Sequence, residues 1–195
     1  MHGLINKAIQ AFVVSTYGEE RWAAVMDLAG LGFVEFEAML IYPEEQSEQM
    51  LAALERVLER PLAEVLEDVG TFLVSNPQVE ALRRLLRFGG VNYVEFLHSL
   101  DDLPDRARLA VSDLHLPPLE LVEQAPGQFD LICQPGLPGY GFVMMGVLRA
   151  MGDDYGDLVI LDHRGEQNGA EIISITLIES DFSEGRAFDL GAHSL

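Results

Sequence analysis

The sequence has little cysteine and few basic residues, and both shortages exclude classes of protein. Cys133 is the one cysteine among 195 residues, so no disulfide can form within the chain, and we expect a reducing, cytoplasmic setting. Lysine and arginine number 12 against 32 acidic residues, which gives a formal net charge of −20. A chain this acidic repels nucleic-acid phosphates and anionic membrane surfaces, so we expect no nucleic-acid partner.

Long hydrophobic runs are also absent. Apolar stretches such as 141–148 are far too short to cross a bilayer, and residues 1–15 lack the pattern of a signal peptide. We therefore expect no membrane insertion. Hydrophobic residues still make up 49% of the chain, enough to build the core of one domain of this length.

Motifs for catalysis and metal binding are missing as well. No nucleophile stands beside a base, and no two histidines have a ligand spacing such as His-x3-His. The glycine-rich segment 136–141 lacks the lysine of a phosphate-binding loop. These absences predict a protein that is neither an enzyme nor a metal protein.

The first half of the sequence contains a series of helical patterns. Apolar residues recur at helical spacing, and glycine, proline or acidic residues mark the ends. The predicted helices run from the N-terminus to Tyr17, from Glu19 to Ala29, from Tyr42-Pro43 through Leu58, from Leu62 to Leu73 and from Val79 to Phe88. Residues 33–41 fit either a short helix or an extended segment.

A further helix, from about residue 91, organises the middle of the chain. Its apolar stripe consists of Tyr93, Phe96, Leu97, Leu100 and Leu103. Pro104 follows directly and lacks the amide that would bond to the carbonyl of Leu100, so the helix must kink, stop or restart there.

The second half predicts a small, mostly antiparallel sheet with a helix. The predicted strands are 119–123, 129–133, 157–163 and 170–179, with an apolar helix over 142–151 and a hairpin-like connection over 164–169. The fold class is therefore α+β. We expect one domain over 1–182, with a helical lobe over about 1–60 and a sheet-containing lobe over about 61–182. Residues 183–195 look like a polar tail.

Several stretches resemble one known family. They are Met1-x-Gly3-x-Ile5-Asn6-x-Ala8, Tyr17-Gly18-x-Glu20-x-Trp22, the segment 70–89, Glu95 to Leu103, and Gly139-x-x-x-Val143-x-x-Gly146. Their order and spacing are similar to those of the heme–nitric oxide/oxygen-binding (H-NOX) family, which includes the sensor domain of soluble guanylate cyclase and stand-alone bacterial sensors. The resemblance covers roughly residues 1–180 and implies a helical lobe followed by a sheet lobe.

The residues that hold heme in that family are not conserved in this sequence. The family's signature helix reads Leu-Asp-x-Leu-His, where the histidine is the axial ligand, whereas this chain reads Leu100-Asp101-Asp102-Leu103-Pro104. The family's Tyr-x-Ser-x-Arg motif for the heme propionates falls on Cys133, Pro135 and Leu137, or two residues earlier on Leu131, Cys133 and Pro135. Neither register supplies an arginine, so the resemblance implies a degenerate heme site.

Three residues remain as alternative heme ligands, in the order His98, His115 and Cys133. His98 precedes Pro104 by six residues and would need a rotated or kinked helix, and a surface position explains it more simply. His115 lies in a loop that could turn toward a pocket. A thiolate can ligate heme iron, but a buried, inert cysteine is the usual case.

These observations lead to three functional hypotheses. The main one is an H-NOX-like regulatory domain without heme. The resemblance to the family implies that such a domain acts on a partner protein such as a histidine kinase or a cyclic-di-GMP enzyme. An empty apolar cavity costs stability, so it must collapse or hold a lipid-like ligand such as a fatty acid. Its expected lining is Ile5, Leu97, Leu100, Leu103, Met144, Met145 and Leu148. The alternatives are a heme-based NO/O2 sensor with a non-standard ligand and a ligand-free interaction module.

Overall fold

In the residues that the computed structural model describes, which are 1–76, 84 and 86–178, helices come first and a sheet follows. We number the elements as α1 (Gly3–Tyr17), α2 (Glu19–Ala29), α3 (Glu44–Leu58), α4 (Leu62–Ser75), α5 (Tyr93–His98), α6 (Leu103–Ala110), β1 (Leu119–Ala125), β2 (Gln128–Cys133), α7 (Tyr140–Tyr155), β3 (Leu158–Gln167) and β4 (Ala170–Ile178). This α+β architecture confirms the predicted fold class.

Glycine and proline set the ends of the first helices, as the sequence predicted. Pro43 and Pro61 directly precede α3 and α4, where the missing amide of proline costs no helical hydrogen bond. Gly30 ends α2 in the left-handed conformation at φ 65°. Most of the predicted helix over 79–88 and the predicted tail over 183–195 lie outside the described residues.

Residues 33–41 form an irregular segment that side chains hold in place. Phe36 is fully buried, and its amide donates to Gln10 Oε1 at 3.1 Å. The indole nitrogen of Trp22 donates to the Val34 carbonyl at 2.8 Å. The segment therefore depends on side chains of α1 and α2, which local sequence patterns do not reveal.

The predicted break at Pro104 is confirmed. Helix α5 ends at His98, a 3-10 turn covers Leu100–Asp102, and α6 starts at Leu103 with Pro104 in its first turn. The stripe residues from Tyr93 to Leu103 nevertheless remain on one buried face, with no more than 5% exposure for any of them. The helix therefore stops and restarts on the N-terminal side of Pro104 without exposing the apolar face.

The sheet is antiparallel, with strand order β1-β2-β4-β3. All four strands agree with the sequence prediction, but the hairpin connection is shorter than predicted. Strand β3 continues to Gln167 through a register shift between His163 and Glu166, and only Asn168 and Gly169 form the turn. Both residues have positive φ, at 53° and 85°, the backbone that a two-residue Asn-Gly hairpin turn requires.

The buried side chains form two hydrophobic cores. One lies among α1 to α4 and includes Val65, Leu66 and Val69 of α4. The other lies between the sheet, α5 and α7, and includes Val74 at the far end of α4. Helix α4 therefore contributes to both cores. The lobe boundary that we expected near residue 60 remains a prediction.

Helices α4 and α7 approach each other closely at two glycines. A Cβ atom on Gly146 would lie far inside van der Waals contact of the Glu67 carbonyl oxygen and 2.7 Å from the Thr71 amide nitrogen. A Cβ atom on Gly70 would overlap the Val143 carbonyl oxygen. The two helices therefore touch backbone to backbone at this crossing, which fixes how the two cores are joined.

Candidate functional site

Most of the apolar residues that we expected around a cofactor pocket lie inside the second core. Leu97, Leu100, Leu103, Met144, Met145 and Leu148 are between 0% and 7% exposed and belong to one buried cluster. Side chains around an empty, water-accessible cavity would keep accessible surface on that side. Six of the seven expected lining residues therefore pack against one another, and the seventh, Ile5, lies elsewhere.

Ile5 lines an open groove of about 810 Å³ between the helical part and the sheet part. One wall comes from the N-terminal ends of α1 and α3, and the other from β3, β4 and the start of α7. The loop over 134–139 and the segment around Asp113 complete it. A volume of this size is typical of ligand-binding clefts.

The groove is acidic and rich in histidine. Its carboxylates are Glu44, Glu48, Asp113, Glu166 and Glu171, and its imidazoles are His2, His115 and His163. No lysine or arginine lines it within the described part of the chain. No group of three or more potential metal ligands is assembled among the described residues either. The electrostatic character of the groove favours a cation over an anion.

His2 joins the two walls of this groove. Its Nδ1 accepts a hydrogen bond from the Leu4 amide at 3.1 Å, so it caps the N-terminus of α1. Its Nε2 lies 3.4 Å from the Asp113 carboxylate, which belongs to the segment between α6 and β1. His2 is 5% exposed, so this contact between the lobes is buried on the histidine side.

A second histidine is held on the opposite wall. His163 Nε2 lies 2.9 Å from Glu171 Oε2, and the His163 ring stacks on Phe142 at 4.1 Å between centroids. The other carboxylate oxygen of Glu171 accepts from the Gly141 amide at 3.2 Å, near the N-terminus of α7. This network fixes β3, β4 and α7 relative to each other.

Cys133, at the end of β2, is 1% exposed. Burial, with a smaller contribution from the nearby Glu171 charge, raises the pKa of its thiol to about 12. The thiol is therefore protonated at neutral pH, and a protonated thiol is a poor nucleophile and metal ligand. These properties match the buried, inert cysteine that is the usual case.

Cys133 should react very slowly with thiol reagents in the folded protein. A pKa near 12 makes the thiolate about a thousandfold rarer at pH 8 than for an ordinary cysteine, and burial slows access further. Absorbance with a chromogenic disulfide reagent should show one slow thiol in buffer and one fast thiol in denaturant. A fast thiol in buffer would contradict the buried position.

The other sequence candidates fall in different places. His98 is exposed and does not line the groove; its ring and that of Phe129 form a T-shaped pair with 5.9 Å between centroids. His115 is exposed at the groove, with Nδ1 2.9 Å from the Asp113 carbonyl oxygen. Pro135 and Leu137 line the groove, whereas Pro104 lies half-buried at the start of α6. Of the three candidate ligands, only His115 therefore lies at the groove.

A family model described as haem-NO-binding matches residues 2–163. The chain belongs to this family. Haem-NO-binding domains are sensor domains rather than catalytic ones. This membership agrees with the resemblance found in the sequence and with the order of helices and strands. Within the described part of the chain, every helix is too short or too polar to span a bilayer.

The curated relatives are much longer than this chain. It is 26% identical over 117 residues, 60% of its length, to soluble guanylate cyclase gcy-31 of Caenorhabditis elegans, and spans 17% of that protein. It is 26% identical over 163 residues, 82% of its length, to gcy-32 of the same organism, and spans 24% of it. The chain therefore spans a quarter or less of these relatives.

Solved structures are similar in fold. The unliganded Fe(II) H-NOX protein of K. algicida matches with a TM-score of 0.76 at 16% identity, over 94% of this chain and all of that one. The Fe(II)NO H-NOX protein of S. oneidensis matches with a TM-score of 0.71 at 16% identity, over 92% of this chain and all of that one. At these identities the likeness shows the fold alone.

The residues present do not fit a heme held in the way that the resemblance implied. Pro104 has no donor atom, and neither Cys133, Pro135 nor Leu137 can bind a propionate by a charged hydrogen bond. The carboxylates of the groove would repel the propionates. Six of the seven apolar side chains expected beside a macrocycle belong to one buried cluster, and Ile5 lies apart from them at the groove.

Sequence reasoning missed most of the groove. Glu44, Glu48 and Glu166 read as ordinary surface charges, and His2 as an isolated histidine, because their proximity depends on the tertiary fold. One local signal was available for His2. It directly precedes an amphipathic helix, where a side-chain acceptor caps the first turn.

Proposed function

We propose that this chain is a signalling domain of the haem-NO-binding family that works without heme. The observation that carries the proposal is the closed core at Leu97, Leu100, Leu103, Met144, Met145 and Leu148. A domain that keeps the fold and fills its cofactor space with side chains retains its surfaces for partners. Of the two fates considered for the apolar cavity, collapse is favoured over a bound fatty acid.

The charge of the groove supports the same proposal. Burying the two heme propionates against five carboxylates without a lysine or arginine would cost several kcal/mol of electrostatic free energy. The replacement of the axial position by Pro104 and of the arginine position by Leu137 or Pro135 removes the favourable contacts that would offset this cost. The acidic groove, the proline at the axial position and the missing arginine therefore all disfavour heme binding.

We propose that the output of the domain is contact with a signalling protein. The matched relatives are named soluble guanylate cyclases, and this chain corresponds to a quarter or less of each. These names favour a guanylate cyclase as the partner, whereas the family resemblance implied a histidine kinase or a cyclic-di-GMP enzyme. A cytoplasmic setting agrees with the single, reduced cysteine.

A second candidate function is heme binding through His115 in the open groove. The position of His115 at the groove and the groove volume of about 810 Å³ favour it. In that case the iron would be bound at the groove, and the closed core would be unaffected. This alternative predicts a spectrum that depends on one histidine.

Hemin titration distinguishes the heme-independent domain from heme binding through His115. The proposal predicts no stoichiometric Soret band for the purified protein, before or after hemin is added, and the same result for Pro104→His, because the arginine and the cavity are still missing. Loose surface binding would give a band that His98→Ala, His115→Ala and Cys133→Ala all keep. A stoichiometric band that His115→Ala alone abolishes would overturn the proposal in favour of the second function.

Organic extraction of the purified protein tests the lipid alternative. With the core closed, mass spectrometry of the extract should find no fatty acid at stoichiometric amounts. A lipid found at stoichiometric amounts would contradict the collapsed core if it raised the thermal unfolding temperature of the native protein and of Leu148→Ala by the same amount.

A further inference from the structure

The two edges of the sheet differ in how they are closed. At the β1 edge, the 3-10 turn Leu100–Asp102 lies against the strand, and the Asp101 carboxylate accepts a hydrogen bond from the Leu121 amide at 3.1 Å. Strand β3 forms the other edge. In the part of the chain that the structure describes, the backbone of residues 158–161 forms no hydrogen bond outside the sheet. The β3 edge is therefore open over these residues.

The open edge presents its backbone groups in the geometry of strand pairing. The Leu177 amide donates to the Gly127 carbonyl at 2.8 Å, so the polar backbone groups of Leu177 point toward β2. Both groups of a residue point to the same side of an antiparallel strand, and successive residues alternate. Because Val159 lies opposite Leu177, its N–H and C=O, and those of Leu161, point away from β4. Such a row of unpaired groups is a template for a further strand.

The side chains along this part of β3 are apolar on both faces of the sheet. Residues 158–161 read Leu-Val-Ile-Leu. Leu158 and Ile160 are 59% and 57% exposed on the outer face, where the neighbouring Ile178 of β4 is exposed as well. Val159 and Leu161 are partly buried against the core beneath the other face. A further strand would remove apolar surface from water on both sides.

The second half of β3 is protected against pairing, whereas the first half is not. Asp162, Arg164 and Glu166 are exposed charges in the second half, and the register shift between His163 and Glu166 interrupts the regular strand. Charged side chains and bulges are the usual means by which an edge strand is kept from pairing. Neither occurs within 158–161. The sheet is thus open to a partner strand over the first half of β3.

We propose that a second copy of this chain pairs with β3 along this edge, antiparallel about a two-fold axis at Ile160. An axis there places Val159 of each copy opposite Leu161 of the other, so the outward backbone groups of both copies meet as hydrogen-bonded pairs. The two Ile160 side chains then lie next to each other on the outer face. The apolar segment is therefore complementary to itself, as the interface of a closed two-fold dimer requires.

The charges beside this segment also favour a second copy. The same axis places Arg164 of each copy opposite Gly156 of the other, next to Asp157 and the C-terminal end of α7, where Asp153 is exposed. A cation is favoured at this negative end of the helix dipole. Each copy thus brings a positive charge to a negative region of the other, which offsets part of the repulsion between two chains of net charge −20.

Such a dimer would be reversible and would join two signalling domains. One pair of strands buries less surface than a standard protein interface, so the dimer should depend on concentration. Strand β3 also forms part of one wall of the groove. The dimer would therefore connect the grooves of the two copies through one continuous sheet.

Sedimentation velocity of the full chain tests the dimer. It is measured from about 1 to 200 μM protein at about 0.3 M salt, which screens the repulsion between the acidic chains. The mean mass should rise from one copy toward two across this range. Ile160→Lys should raise the Kd of the dimer about tenfold or more, because it places two like charges opposite each other at the axis.

The matched control is Leu109→Lys, at an exposed leucine on α6. It changes the net charge by the same amount and lies outside β3, so it should change the Kd by less than about twofold. Circular dichroism of both variants should match that of the native protein, because both side chains are exposed in the single copy.

Cysteine cross-linking tests the position of the axis. Ile160→Cys places the two cysteines in a non-hydrogen-bonded pair, close enough for a disulfide. Oxidation should therefore give a covalent dimer on a non-reducing gel. Leu158→Cys should not cross-link, because its two copies would lie about 14 Å apart along the paired strands. Cys133 is buried and should not contribute.

Three outcomes would overturn the inference. They are a chain that stays monomeric over the whole range, equal weakening by Ile160→Lys and Leu109→Lys, and equal cross-linking of Ile160→Cys and Leu158→Cys. The first would leave the β3 edge to a strand of a different protein, the second would place the contact elsewhere on the surface, and the third would mean random collision. A monomeric chain would leave the proposed function standing, because the closed core does not depend on pairing at β3.

Discussion

Gly146→Ala should destabilise the protein by about 3 kcal/mol or more, because the new methyl group would overlap the Glu67 carbonyl oxygen. A backbone atom in a helix cannot move away as a side chain can, so α4 and α7 would have to separate along their length. Gly70→Ala should have a comparable effect through the Val143 carbonyl. Denaturant unfolding followed by circular dichroism measures both losses.

Gly152→Ala is the matched control on the same helix. Its methyl group would meet the Val159 side chain at 3.0 Å and the Asp157 carbonyl at 3.3 Å, distances that small shifts relieve. The gain in helix propensity, about 1 kcal/mol, offsets this crowding, so the free energy of unfolding should change by less than about 1 kcal/mol. Equal effects of Gly146→Ala and Gly152→Ala would contradict a close crossing at Gly146.

Leu148→Ala should cost about 3 kcal/mol, within the usual range for a fully buried leucine in a closed core. The variant should also gain affinity for a small apolar probe such as benzene at the space left by the leucine side chain, because the core around Leu148 is closed in the native protein. Thermal unfolding with and without benzene measures both effects. The result bears on function, since Leu148 is one of the residues expected beside a cofactor.

The control is Leu109→Ala, on α6, where the leucine is 88% exposed. Its effect should stay within about 0.5 kcal/mol. A loss below about 1.5 kcal/mol for Leu148→Ala would mean that open space already exists beside this side chain. The collapsed core, and with it the main support for a heme-independent domain, would then be wrong.

Local patterns were sufficient to predict most of the helices and strands that the structure describes. Pro104 could be placed at a helix restart because a missing amide acts within one turn, and Asn168-Gly169 lies inside the predicted hairpin connection. The buried stripe from Tyr93 to Leu103 follows from helical spacing, and it continued across the break because the 3-10 turn kept the same face inward.

For the candidate site, the sequence could predict only which heme-binding residues are missing. The absence of a histidine at position 104 and of an arginine near 137 is visible in the sequence. The presence of Glu48 and Glu166 on opposite walls of one groove, in contrast, depends on how distant elements pack. The same holds for His2 and Asp113, which are separated by more than half of the chain. Apolar spacing placed Met144 and Leu148 correctly on a buried face, but spacing does not distinguish a cavity wall from a filled core.

The position of α4 in both hydrophobic cores affects how the protein unfolds. Val65, Leu66 and Val69 stabilise the helical part, while Val74 belongs to the core beneath the sheet, so melting of α4 would open both cores at once. The two parts should therefore lose structure in a single cooperative transition. A fragment cut before α4 would lack part of the core that its own helices need. Any signal that moves one part relative to the other must then shift α4 as a rigid body rather than unfold it.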